Sequence, residues 1–190
     1  HLCIDPLVIG AEMVMALQNV VARNIDPLKA PVLTVATFQA GDSYNVIPDS
    51  ARLAGTVRTH DAQVREQVQH LMQRILSGVA AAHGAGCDIR WQEGYAVGNN
   101  HPEACGIAID AIHRHFADGT LTMADAPLFG SEDFSSYQQK VPGAFLFIGC
   151  GNEEKGATWG LHNPNFRIDE DALAVGVKAH VALVSGLLGD

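Results

Sequence analysis

Val32-Leu33-Thr34-Val35-Ala36-Thr37-Phe38 and Ala51-Arg52-Leu53-Ala54-Gly55-Thr56-Val57-Arg58 are the segments whose reading decides the fold. The first is rich in β-formers and stops at Ala40-Gly41. The second alternates, with Leu53 and Val57 directed one way and Arg52, Thr56 and Arg58 the other. Between them, Asp42-Ser43-Tyr44-Asn45-Val46-Ile47-Pro48-Asp49 begins with turn formers and ends in proline. The pair predicts antiparallel strands joined by a loop of functional character.

Helices are expected on either side. Upstream, Asp5 reads as an N-cap with Pro6 at the first helical position, where its missing N–H costs nothing. Ile9, Met13, Ala16, Leu17 and Val20 then recur at helical spacing, which predicts a helix over 6–23. Downstream, Asp61 can cap a second helix whose stripe Val64, Val68, Leu71, Ile75 and Val79 ends near Gly84. A further strand is expected over 87–95, through Ile89 and Trp91. This order predicts an α+β sandwich over residues 1–97, with helices on one face of an antiparallel sheet whose first strand precedes His1.

Val97-Gly98-Asn99-Asn100 reads as a linker to a second part over 98–190. There Pro102 opens a third helix with Ala104, Ile107, Ala108, Ala111, Ile112 and His115. Ala144-Phe145-Leu146-Phe147-Ile148 is continuously apolar, as a strand covered on both faces would be. A last helix from about Asp169 uses Leu173, Val177, His180, Val181, Val184 and Leu187. Helix, loop, buried strand, loop and helix read as one part of a doubly wound α/β domain.

Composition bounds the function. The 190 residues are 47% hydrophobic and 17% charged, enough for a real core. A net charge of −9 excludes a binder that tracks nucleic-acid phosphates with clustered Lys and Arg. A small substrate or a protein partner fits better. Cys3, Cys87, Cys105 and Cys150 show no metal-finger spacing and read as free, buried thiols of a reducing compartment, hence cytoplasmic. No apolar run is expected to reach the roughly 18 residues of a membrane span. The chain begins with His rather than Met, so residues upstream are expected.

Four stretches depart from the polar-out, apolar-in pattern. His1 is the first. The second joins Asn45 to Arg58: an amide and a planar five-donor guanidinium can hold a substrate carboxylate, although Asn45 can equally serve the turn and Arg58 extend to solvent. The third is Gly130-Ser131-Glu132-Asp133-Phe134, whose carboxylates can orient a metal-bound group, while Asp133 can open a short helix through Phe134 and Tyr137. The fourth is His162, in Thr158-Trp159-Gly160-Leu161-His162-Asn163-Pro164-Asn165-Phe166. It can be a metal donor or a loop residue bonded to its neighbours. One histidine cannot build a metal site, since even catalytic zinc takes three protein ligands.

Seven stretches in order give the chain a family resemblance: His1-Leu2-Cys3-Ile4-Asp5-Pro6, Asn45-Val46-Ile47-Pro48-Asp49, Gly55-Thr56-Val57-Arg58-Thr59, Ala81-Ala82-His83-Gly84-Ala85, Gly130-Ser131-Glu132-Asp133-Phe134, Val141-Pro142-Gly143-Ala144-Phe145 and Leu161-His162-Asn163-Pro164. Together they resemble the C-terminal half of the N-acyl-amino-acid amidohydrolases, the group of hippurate hydrolase and indole-acetyl-amino-acid hydrolase within the aminoacylase and carboxypeptidase superfamily. The resemblance implies a metallohydrolase with two divalent ions, Zn or Mn, cutting a small N-acyl amino acid. It also implies a lid that makes a homodimer, residues 1–97 being that lid and 98–190 the end of the catalytic domain. His162 falls where the family places its last metal ligand, and Asn45 and Arg58 where it holds the substrate carboxylate. Glu132, Asp133 and His1 would support metal-bound groups. The family's other ligands and its general base would lie upstream, so this segment alone is expected to be inactive. The competing expectation is a non-catalytic dimerisation and binding module that kept the carboxylate clamp without the metals.

Overall fold

The computed structural model describes residues 1–188. Helix α1, Pro6–Asn24, starts where the sequence says it must: Asp5 Oδ1 accepts from the backbone N–H of Leu7 at 2.9 Å, with Pro6 in the first turn. After a short 3-10 turn, Pro27–Lys29, strand β1 (Val32–Ala40) pairs antiparallel with β2 (Ala51–Arg58). The ladder slips between Val35 and Thr37, a bulge opposite Gly55. A Cβ on Gly55 would lie 1.9 Å from the Thr34 carbonyl oxygen, so the close approach of the two backbones requires glycine there. Helix α2, Ala62–Ala82, is capped by Asp61, whose Oδ1 accepts from Gln63 N–H at 2.9 Å. Lys29 also reaches Asp61 at 2.8 Å, which holds that carboxyl below, and the ammonium above, its ordinary range.

These elements belong to one compact unit, His1–Val97 together with Pro127–Glu132. Its core is Ile9, Met13, Leu17, Val20, Ile25, Val64, Val68, Leu76 and Ala80, with Leu33, Val35, Leu53 and Val57 closing the sheet side. Val20 and Val68 are fully buried. Helix α1 lies so close to the sheet that a Cβ on Gly10 would meet the Phe38 ring at 2.7 Å.

The expected strand over 87–95 is not one: residues 85–101 carry no regular structure. Ile89 still packs on the core and Glu93 pairs with Arg65 at 3.2 Å. Side-chain burial alone does not make a strand, because its N–H and C=O groups need a neighbouring backbone, and the sheet among the described residues has two strands.

The second unit comprises Gly98–Ala126 and the described residues from Asp133 onward. It contains α3 (Pro102–His115), α4 (Phe134–Gln138) and α5 (Asp171–Leu188), with α3 packed on α5. Gly186 lets the two helices approach closely at that crossing, where a Cβ would stand 3.0 Å from the Ala111 Cβ and one of the two would have to give by a few tenths of an ångström. Ala144-Phe145-Leu146-Phe147-Ile148 is again not a ladder strand, and its Phe147 is 71% exposed. In place of a strand, the side-chain amide of Asn100 accepts from Phe145 N–H at 2.7 Å and donates to its carbonyl at 2.9 Å. Part of the stretch read as a linker is therefore a structural partner.

Two further expectations are corrected. The thiols are free but not buried: Cys3 and Cys87 are exposed and Cys105 and Cys150 half-buried. Helix α5 is, by length and composition alone, apolar enough to cross a membrane, with a mean hydropathy of 1.5. Interspersed Ala and Gly hid that run from a reading by large apolar residues. The last helix runs from Asp171, close to the expected start, and Asp169 accepts the Asp171 N–H at 3.2 Å.

Candidate functional site

In the first unit, Arg58 closes β2 with its side chain on the polar side. Its Nη1 donates to the backbone carbonyl of Phe129 at 2.6 Å. Two residues on, the imidazole of His60 lies against the Phe129 ring, centroid to centroid 4.1 Å, tilted by 46°. His60 Nε2 is shut from solvent and has no hydrogen-bond partner among the described residues. Asn45 is exposed in the loop between the strands and accepts from the Ser43 hydroxyl at 2.8 Å. The structure thus bonds Asn45 and Arg58 to different partners. His1 is exposed at the chain start.

In the second unit, His162 is exposed and carries a φ of 67°, in the left-handed region. Few non-glycine residues adopt it, His, Asn and Asp among them, and such backbones gather at functional sites. The turn is fixed on both sides. Asn163 N–H reaches the Gly160 carbonyl at 3.3 Å, Asn163 Oδ1 accepts from Asn165 N–H at 2.9 Å, and Pro164 stiffens the step between. The base of the loop is closed by Asp169, whose N–H donates to the Cys150 carbonyl at 2.8 Å. Its carboxylate accepts from Asn152 Nδ2 at 2.7 Å and from Lys155 Nζ at 2.6 Å, and Lys155 also reaches Asp171 at 2.6 Å. Lys155 first, then Asn152, hold the Asp169 carboxyl down at about 2.

Glu132 and Asp133 are both exposed. Asp133 does precede a short helix, α4, but its side chain makes no capping bond, and its backbone carbonyl takes the Ser136 N–H at 2.8 Å. Surface depressions of about 380 and 210 Å³ lie on the polar face of α2 and at the start of α1, and neither is lined by Asn45, Arg58 or His162.

No group of three or more His, Cys, Asp or Glu side chains among the described residues converges as a metal ion requires. The residues present therefore do not fit the two-ion centre that the resemblance implies. His60 and Phe129 were missed by the sequence reading. The signal for His60 was its two-residue spacing from Arg58, the period that keeps side chains on one face of an extended chain.

Comparison with known proteins gives this geometry its context. The chain is 35% identical to thermostable carboxypeptidase 2 of Saccharolobus solfataricus, over 96% of this chain and 46% of that protein. It is 37% identical to an N-acetylcysteine deacetylase of Bacillus subtilis, over 90% of this chain and 43% of the other. Its fold superposes with a TM-score of 0.77 and 32% identity on the crystal structure of Bacillus subtilis YXEP, described as a dinuclear metal binding peptidase, covering 97% of this chain and 46% of that one. The chain spans about half the length of the curated relatives it matches. A family model matches residues 7–186, and the chain belongs to peptidase family M20/M25/M40.

Proposed function

We propose that this chain is part of a metal-dependent amidohydrolase that releases an amino acid from an N-acyl amino acid. Family membership supports the hydrolase, and the deacetylase among the relatives supports an N-acyl amino acid as its substrate. The observation that carries the reading is Arg58: an exposed guanidinium at a strand end, held by a neutral carbonyl, whose remaining donors suit a carboxylate fork. Asn45 would add an amide to that clamp. Orienting the substrate in this way can lower the barrier by several kcal/mol.

His162 would contribute one donor to a centre completed by residues outside this chain, its rigid left-handed turn fixing the direction of the imidazole. Glu132, Asp133 and His1 would steady such groups. The first unit would act as a lid and pair with a second copy through the open edge of its two-stranded sheet, where unpaired N–H and C=O groups favour such contacts. A cytoplasmic location completes the proposal.

The test uses a full-length protein containing these residues, with metal analysis and a panel of N-acyl amino acids. Arg58→Ala should raise KM while retaining metal, at a cost of about 2 to 4 kcal/mol for losing a charged clamp. His162→Ala should lose metal. Equal metal loss in the two variants would sink the division of roles.

A further inference from the structure

We propose that Phe129 gates the carboxylate clamp: in the resting chain it caps Arg58 and His60 together, and an incoming carboxylate displaces it and binds both. The inference rests on the reading of Arg58 as the clamp. Phe129 makes both contacts from one residue, its carbonyl oxygen 2.6 Å from Arg58 Nη1 and its ring 4.1 Å from the His60 ring. The segment that carries it, Pro127–Glu132, packs with the first unit although its sequence neighbours on both sides belong to the second. A guanidinium bonded to a neutral carbonyl gains from exchanging it for a carboxylate, since the hydrogen bond is then joined by an ion pair between opposite charges.

His60 explains why the cap is a resting state. Its Nε2 is closed off without a partner, an unfavourable condition for a buried polar atom and one that a ligand oxygen would relieve. Arg58 and His60 both touch Phe129, so a ligand that takes its place meets both. One carboxylate has two oxygens, one for each side chain, the His60 Nε2–H tautomer donating to the second. His60 and Phe129 are thus specificity and gating residues for the carboxylate end of an N-acyl amino acid.

The experiment measures binding of benzoylglycine, and of its carboxamide as control, to a full-length protein containing these residues. Removing the ring releases the anchor of the carbonyl cap, so Phe129→Ala tightens benzoylglycine binding about 3- to 10-fold, as expected when the competent state is about a tenth to a third populated. Phe129→Leu, which keeps apolar bulk, gives a smaller gain and guards against a folding artefact. His60→Phe keeps a ring in place and weakens benzoylglycine about 10-fold while leaving the carboxamide unchanged. In the unsubstituted chain, the His60 Nε2 resonance moves on titration with benzoylglycine. Unchanged or weaker binding by both Phe129 variants, or an unmoved His60 resonance, overturns the gate. Arg58→Ala separates the two ideas: if it binds benzoylglycine as well as the unsubstituted chain, or if no form binds, the clamp reading itself fails.

Discussion

The two units bury their side chains very differently. The first closes a core of nine apolar residues between two helices and a sheet. The second buries mainly small residues, Ala108, Ala111, Ala157 and Ala182, with Ile112 the largest of its buried hydrophobics, and leaves Phe147 at 71% and Leu187 at 65% exposure. Both have helices with apolar stripes, so helix content is not the difference. A helix stripe is buried only against a second layer, and in the first unit the layer is a real sheet, whereas among the described residues the 144–148 run is met by the side-chain amide of Asn100 and not by a strand.

The largest test of that contrast is a paired truncation. Leu17→Ala, in the closed core, should cost about 2–5 kcal/mol in denaturant unfolding, whereas Leu187→Ala on α5 should stay within about 0.5 kcal/mol, as exposed positions do. Similar losses at both sites would break the comparison. Gly55→Ala should come next, at about 1–3 kcal/mol or more, because its new methyl meets the Thr34 carbonyl and the sheet must shift. Asp61→Ala should cost about 1 kcal/mol by removing the α2 cap, readable as earlier fraying of that helix in amide exchange.

The smallest effect is one of pH. The Asp169 carboxyl is lowered in the folded chain to about 2 from an ordinary 3.8, so its contribution is fully present above the unfolded value and is lost as pH falls through the folded one. The exchange protection of the Asp169 and Asp171 amides, corrected for the intrinsic pH dependence of exchange, should therefore fall between about pH 4 and pH 2, and Asp169→Asn should abolish that step. The same transition surviving in Asp169→Asn would assign it to another carboxyl.

What was legible in the sequence follows from the range of the interactions. Asp5-Pro6, Asp61 and Pro102 announce helix starts because capping is settled within a few residues, and the alternation of β2 is local as well. The 87–95 and 144–148 segments failed as strands because pairing depends on a distant backbone that apolar composition does not reveal. The site divides along the same line. Arg58 and His162 stand out by their motifs as candidates only, while Phe129 lies 71 residues from Arg58 and nothing local links the two. His162 in its turn was legible as a loop residue; its left-handed backbone was not.

That backbone narrows the sequence space open to the position. A branched side chain at a φ of 67° costs roughly 1–2 kcal/mol, so drift or a mutational library there is confined mostly to Gly, Asn, Asp and His. Of these, only Asp and His commonly bind zinc. If residue 162 is a ligand, the route by which the family could exchange it passes through aspartate alone, and a library selected for metal retention should return those two residues and few others.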